Sequence, residues 1–291
     1  MWQIPTDTNT DTGTGTSTGT GTGTGILTDN LGIGSVTALI VGNVIGMSIF
    51  VLPGQLAAQA GPGVVLAVFF AALPALFVVV FNAQLGSAMP VAGGYYVYIS
   101  RLVSPFWGFL IPWIIPPAIW AAVMFPATGL VEYVNVLVEV PVLPLAYAFI
   151  VLAVIVNLLG IRIVARVQIA MVAILFLAIG AFVVFGIPNV SAANYSELFP
   201  NGFGAFGTAV VALYFPYIGF TIITEIGEEI DDPGRTIPRV LFAGIAVVVV
   251  VFALLIGVFV GLVDTSTLNP DGLEAAIATA AGQFLPSSVV V

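Results

Sequence analysis

Apolar residues gather into runs long enough to cross a bilayer, and that feature leaves this chain few folds to choose from. The runs fall at 33–52, 61–82, 105–130, 142–160, 167–187, 205–224 and 240–263, each near the roughly 20 residues a helix needs to span about 30 Å of hydrocarbon. Lipid offers a peptide group no hydrogen-bond partner, so runs of this length cross as helices. Seven spans are predicted, in an all-α transmembrane protein whose main partner is the lipid bilayer. Charged residues make up only 7% of the 291, far below the roughly 25% of a soluble domain.

The residue types that are missing exclude several kinds of chemistry. There is no cysteine and no histidine, and all five basic residues are arginines. Disulfides, thiolate catalysis, Cys/His metal sites and imidazole relays are therefore ruled out, as is a lysine Schiff base. No carboxylate pair lies within a span and no ring of charge or TVGYG-like loop appears, so neither an enzyme nor a selective channel is favoured. No cofactor, metal site or nucleic acid partner is expected.

Arg101, Arg162, Arg166, Arg235 and Arg239 fall only in the connections after spans two, four and six, and the positive-inside rule makes that side cytoplasmic. The protein is expected in the cell membrane, multi-pass, with its N-terminus inside. Glu132, Glu139, Glu197, Asp264, Asp271 and Glu274 then face outward. Residues 1–30, with the tract TDTNTDTGTGTSTGTGTGTG, read as a disordered Thr/Gly-rich cytoplasmic tail. Residues 31–263 hold the seven spans, and 264–291 read as an external loop and the start of a truncated further segment, broken at Gly282 and Pro286.

Span one carries GNVIGMSIF near its middle, with Gly42, Asn43, Gly46 and Ser48 weakening the helix where it has no other support. Two readings compete. Gly42 and Gly46 form a small-xxx-small pair suited to close helix packing, or they mark an interruption. Span six is also interrupted, by Pro216 and Gly219 in LYFPYIGFTIITEIGEEIDDP, and paired interruptions in corresponding helices point to a transporter binding site. Where a helix breaks, one end bares N–H groups with positive partial charge and the other bares carbonyls with negative partial charge. Together they suit an α-amino acid, with its carboxylate at the amides near Gly46, Met47 and Ser48 and its ammonium at carbonyls in both breaks. Pro112, Pro116, Pro117 and Pro126 in span three point to a cavity beside it.

The acidic run Glu225, Glu228, Glu229, Asp231 and Asp232, followed by Arg235 and Arg239, reads as a solvated helix end. Glu225 lies deepest and is the candidate for an inner gate. Tyr95, Tyr96, Tyr98 and Trp107 read as interfacial anchors.

GNVIGMSIF resembles the first-helix signature of the amino acid–polyamine–organocation (APC) superfamily. Three further stretches agree: PVAGGYYVYISRLVSPFWGF, NLLGIRIVARVQ and GFTIITEIGEEIDDPGRTIPR. The resemblance covers nearly all of 31–263. It implies a LeuT-like inverted-repeat fold, with the first five-helix repeat complete and the second truncated. It implies secondary transport of amino acids by alternating access. Backbone groups of Val44, Ile45, Gly46, Met47 and Ser48 would hold the carboxylate, and those of Phe215 and Ile218 the amine. Phe215 would be the aromatic lid, with Pro112 and Ile115 lining the side-chain pocket. Three departures stand out. Ser48 replaces the last glycine of the signature, and Thr221 stands where many members carry an acid, which favours neutral or apolar substrates. The lysine that proton-coupled relatives carry on span five is replaced near Leu175, leaving sodium coupling, exchange or facilitated transport. A chain with only part of the second repeat is expected not to transport alone and to need missing C-terminal helices of the same transporter; a non-transporting fragment, or a channel-like or regulatory membrane protein, is the alternative.

Overall fold

The computed structural model describes residues 32–46, 48–91, 93–135, 138–265, 268 and 276–282. The N-terminal tail, Met47 and most of 264–291, with Asp271, Glu274 and Pro286, lie outside the described residues. For Pro112, Glu132 and Arg162 the description stops at the backbone. Among the described residues the regular structure is helical.

Span one is two helices, α1 (Ile33–Ile45) and α2 (Ser48–Ala60). Its apolar run ends near Leu52, yet α2 continues through Pro53, Gln55 and Gln59, because polar residues end a hydrophobic stretch without ending a helix. Span two is α3 (Val64–Ala88) and is followed by a short helix, α4 (Gly94–Leu102), within the connection. Span three is α5 (Pro105–Asn135), one helix across Pro112, Pro116, Pro117 and Pro126. Spans four and five are α6 (Val142–Leu158) and α7 (Ile161–Gly186). Span six begins as α8 (Gly202–Tyr214) and tightens at Phe215 into a 3₁₀ segment, Phe215–Thr224. Span seven is α9 (Pro233–Leu262), and a short α10 (Ala276–Ala281) packs on α2 and α9. Four helical stretches among the described residues are long and apolar enough to cross a membrane, the first extending from α1 to α3.

The core lies where α3 runs along α9 and α8, and where α1 is held between α7, α9 and the 3₁₀ segment. Val36, Ile40, Ile45, Ile49, Phe220, Ile237, Leu241 and Phe259 are fully or almost fully buried there. Helix α5 stands apart, packing mainly on α4 and α6, with its own small cluster of Ala127, Val131 and Ala146. Tyr133 fastens it to span one, donating to Phe50 O at 2.9 Å while its ring meets Phe50 edge-on.

The connections sort into two ends. At one, Gly227 packs against Pro90 and Val91, and Glu225 lies over Gly94, bringing the connection that bears Arg101 to the one before Arg235 and Arg239. At the other, Gly63 N donates to Leu198 O at 2.7 Å, Asn201 Nδ2 donates to Gln59 O at 2.8 Å, and Asn194 Nδ2 donates to Gly261 O at 2.8 Å. The connections beside Arg101 and Arg235 thus share one end, and the connection bearing Glu197 belongs to the other.

Candidate functional site

The two readings of the glycine pair in span one divide between its members. At Gly46 the chain turns with φ 36° and ψ −141°, a conformation that a side chain would strain. Beyond its own helix nothing crowds Gly46. Gly42 is the packing residue. The space a side chain would fill there is taken by the Gln168 amide and Val172 of α7. One glycine turns the chain and the other admits a neighbour.

A broken helix leaves carbonyls without the amides they would have bonded, and buried backbone groups need partners. At the end of α1 the partners can be traced. Gly46 N donates to Gly42 O at 2.9 Å. Ser48, the first residue of α2, turns its hydroxyl back across the break, 2.7 Å from Ile45 O and 3.2 Å from Val44 O. Asn43 O meets Gly219, where a methyl group would stand 3.0 Å from it and equally near Val44 Cα.

Span six breaks for a complementary reason. Pro216 brings no N–H, and the chain continues for ten residues in the tighter 3₁₀ winding, well beyond the three or four such a helix usually holds. Thr224 Oγ1 donates to Thr221 O at 2.8 Å. Gly219 lets this segment lie directly on α1 at Asn43 and Val44, and Asn43 Nδ2 donates to Gly219 O at 2.9 Å. The last turn of α1, just before its break, and the 3₁₀ segment of span six therefore face each other and are hydrogen-bonded.

Around this junction Val44 and Ile45 are buried, Gly46, Ser48 and Thr221 are half-buried, and Asn43 is exposed. Phe215 and Ile218 present about half their surface, 46% and 47%. Contacts between α1 and the 3₁₀ segment set Asn43 and Val44 directly against Gly219, the residue after Ile218. Met47 lies outside the described residues, as does the Pro112 side chain. Ile115 is exposed on α5, whose main partners are α4 and α6, so the principal helix contacts do not bring it to the junction. Glu225 sits at the far end of the 3₁₀ segment, exposed, with its carboxylate against Gly94 and Thr224 buried beside it.

Gly94 begins α4 and has a positive φ of 47°, directly after Gly93 at 105°. The turn brings Tyr95 inward, where its hydroxyl donates to the buried Asn82 Oδ1 at 3.1 Å. Burial pushes the Tyr95 phenol above its ordinary range, the Asn82 hydrogen bond pulls against that, and the nearby Tyr214 and Glu225 add to the rise. Tyr98 is buried too and donates to Met89 O at 3.3 Å. Tyr95 and Tyr98 are thus internal braces, where interfacial anchors are expected; Tyr96 and Trp107 remain exposed. Residues that sequence reasoning does not assign here are Asn43, Gln168 and Asn82, each placed by a partner distant in sequence.

An all-helical membrane protein with two spans interrupted at facing points has the form of a membrane carrier. The family model described as Amino acid permease matches residues 35–290, and the chain belongs to that family of the APC superfamily. A branched-chain amino acid permease (BcaP) of Lactococcus lactis is 33% identical over 253 residues, covering 77% of this chain and 54% of its own length. The Bacillus subtilis protein of the same name is 27% identical over 286 residues, covering 91% and 62%. A methylthioribose transporter of Bacillus subtilis is 26% identical over 264 residues, covering 84% and 57%. The chain spans little more than half the length of these relatives. They are carriers and not enzymes.

Proposed function

We propose that this chain carries the substrate-binding part of a secondary transporter for neutral or apolar amino acids, held at the junction of the two interrupted spans. The observation that carries the reading is the hydrogen bond from Asn43, in the last turn of α1 before its break, to Gly219 in the 3₁₀ segment of span six. The substrate carboxylate sits at the free N–H groups of the first turn of α2, beginning at Ser48, with Val44, Ile45, Gly46 and Met47 shaping the approach; helix N-termini suit anions. Since Gly46 N is bonded to Gly42 O, the load falls on Ser48 and the amides after it. The ammonium lies at carbonyls of both breaks, including those of Phe215 and Ile218. Phe215 covers it as a lid, while Thr221 bounds the side chain without offering it a charge.

In this reading Glu225 closes the cytoplasmic end against Gly94, the N-terminus is cytoplasmic, and the protein works in the cell membrane by alternating access, with sodium as the candidate coupling ion. Branched-chain permeases among the relatives support an apolar pocket; the methylthioribose transporter names the competing substrate class. Further helices complete the second repeat and cover the exposed Asn43, Phe215 and Ile218, since interrupted backbone in hydrocarbon needs protein around it. Backbone atoms from both breaks are within this chain, so it is expected to bind substrate but not to transport alone.

The test is equilibrium binding of radiolabelled leucine to the chain in lipid nanodiscs, with and without sodium, competed by other amino acids and by methylthioribose. Saturable leucine binding displaced by apolar amino acids supports the reading. Displacement by methylthioribose alone refutes it.

A further inference from the structure

The Ser48 hydroxyl is held by the same carbonyls that the proposed function would offer to an ammonium group. It stands 2.7 Å from Ile45 O and 3.2 Å from Val44 O. A serine bonding back to carbonyls three and four residues earlier is ordinary within a helix. Here the helix has ended. Gly46 has turned the chain, so those carbonyls have lost the amides of Ser48 and Ile49 that a continuous helix would give them. Val44 and Ile45 are themselves buried, in surroundings where a carbonyl left without a donor is costly.

We infer that the Ser48 hydroxyl is a built-in stand-in for the substrate's ammonium: it satisfies the carbonyls of Val44 and Ile45 in the empty protein and gives them up when an amine binds. The inference rests on the proposed amino acid site and adds to it a side chain that sets affinity. Three features support it. Ser48 is half-buried at the junction and not sealed in the core. Its hydroxyl has one hydrogen to share between two acceptors, whereas an ammonium has three to give and a full charge. Ser48 begins α2 after a residue that has already made the turn, so its hydroxyl can rotate away without moving either helix. The exchange breaks a neutral hydrogen bond and makes charge-assisted ones. Binding is thus favoured, but by less than if the carbonyls had waited empty.

The experiment compares leucine with 4-methylpentanoate, which keeps the side chain and carboxylate but lacks the amine, on purified full-length chain in nanodiscs. Replacing Ser48 with Ala removes the competing donor and is expected to tighten leucine binding about fivefold, the equivalent of one ordinary hydrogen bond, with 4-methylpentanoate unchanged. Ser48→Thr keeps the hydroxyl and is expected to keep the parent's ratio of leucine to 4-methylpentanoate affinity. Ser48→Gly serves as a second donor-free variant and is expected to behave as Ser48→Ala. Leucine affinity that is unchanged or weaker in both donor-free variants overturns the inference while leaving the amino acid site in place. Equal shifts for both ligands overturn it as well, by assigning Ser48 a purely structural role. A parent chain that binds 4-methylpentanoate and leucine equally well, or neither, removes the amine site itself and this inference with it.

Discussion

Asn43 Nδ2 donates a 2.9 Å hydrogen bond to Gly219 O, joining positions 176 residues apart. Asn43 lies in the last turn of α1, just before the break at Gly46, and Gly219 lies within the 3₁₀ segment, so one amide ties the two interrupted spans together. Asn43→Ala should remove that tie, lowering stability by about 1 kcal/mol, the net contribution of a hydrogen bond. Thermal unfolding in detergent measures the change, and an unaltered midpoint would show that the bond does not hold the junction together.

The same junction tests packing. A methyl group at Gly219 would stand 3.0 Å from Asn43 O, Val44 Cα and Val44 Cγ2, closer than van der Waals contact allows. Gly219→Ala is expected to cost about 1–3 kcal/mol, as overpacking does. Combined with Asn43→Ala it should cost less than the sum of the two single changes, because the sites touch. Strict additivity in the double variant would contradict the direct contact.

How much of this could be read in the residues follows from the range of each interaction. The places of the long helices and of both interruptions are legible because apolar runs, glycine and proline act on the chain locally. Which glycine turns and which one packs was not, since Gly42 owes its role to Gln168, 126 positions away by their numbers, 168 less 42. The Ser48 substitution reads in the sequence as the loss of a flexible residue. In the fold the positive φ belongs to Gly46, and Ser48 supplies a donor. Helix α4 is hidden in the sequence because GYYVYISRL mixes apolar and polar residues over only nine positions, and its inward tyrosines are placed by Asn82 and Met89. The prolines of α5 do not end the helix, which runs through them.

At the other end of span six, Glu225 lies so close to Gly94 that a methyl group there would collide with its carboxylate and stand 3.0 Å from Thr224 Oγ1. Gly94 also has a φ of 47°, which a side chain strains. Gly94→Ala should therefore loosen α4 from the 3₁₀ segment. A cysteine replacing the fully buried Thr224 should react slowly with a thiol reagent in the otherwise unchanged chain and at least several-fold faster beside Gly94→Ala. Equal rates would show that the contact does not close this end.

The grouping of connections into two ends predicts labelling from opposite sides of the membrane. Cysteines replacing Arg101 and Arg235, both exposed, should be modified together by a reagent confined to the cytoplasmic face. One replacing Glu197 should react only from outside. Modification of Arg101 and Arg235 positions from different sides would overturn the grouping, and reversal of all three would overturn the orientation alone.

The central claim is that the turn at Gly46 shapes a site for an amino acid, and ligand-dependent thermal stability tests it most directly, because a ligand that binds the native state raises its unfolding temperature by mass action. The purified chain and its Gly46→Leu variant would be heated in lipid with each of the standard amino acids. The account predicts a rise for the parent with apolar amino acids, leucine among them, no rise with lysine or glutamate, and no response from Gly46→Leu, whose helical content stays that of the parent. A parent chain that no amino acid stabilises, or a folded Gly46→Leu variant stabilised as strongly as the parent, would contradict it.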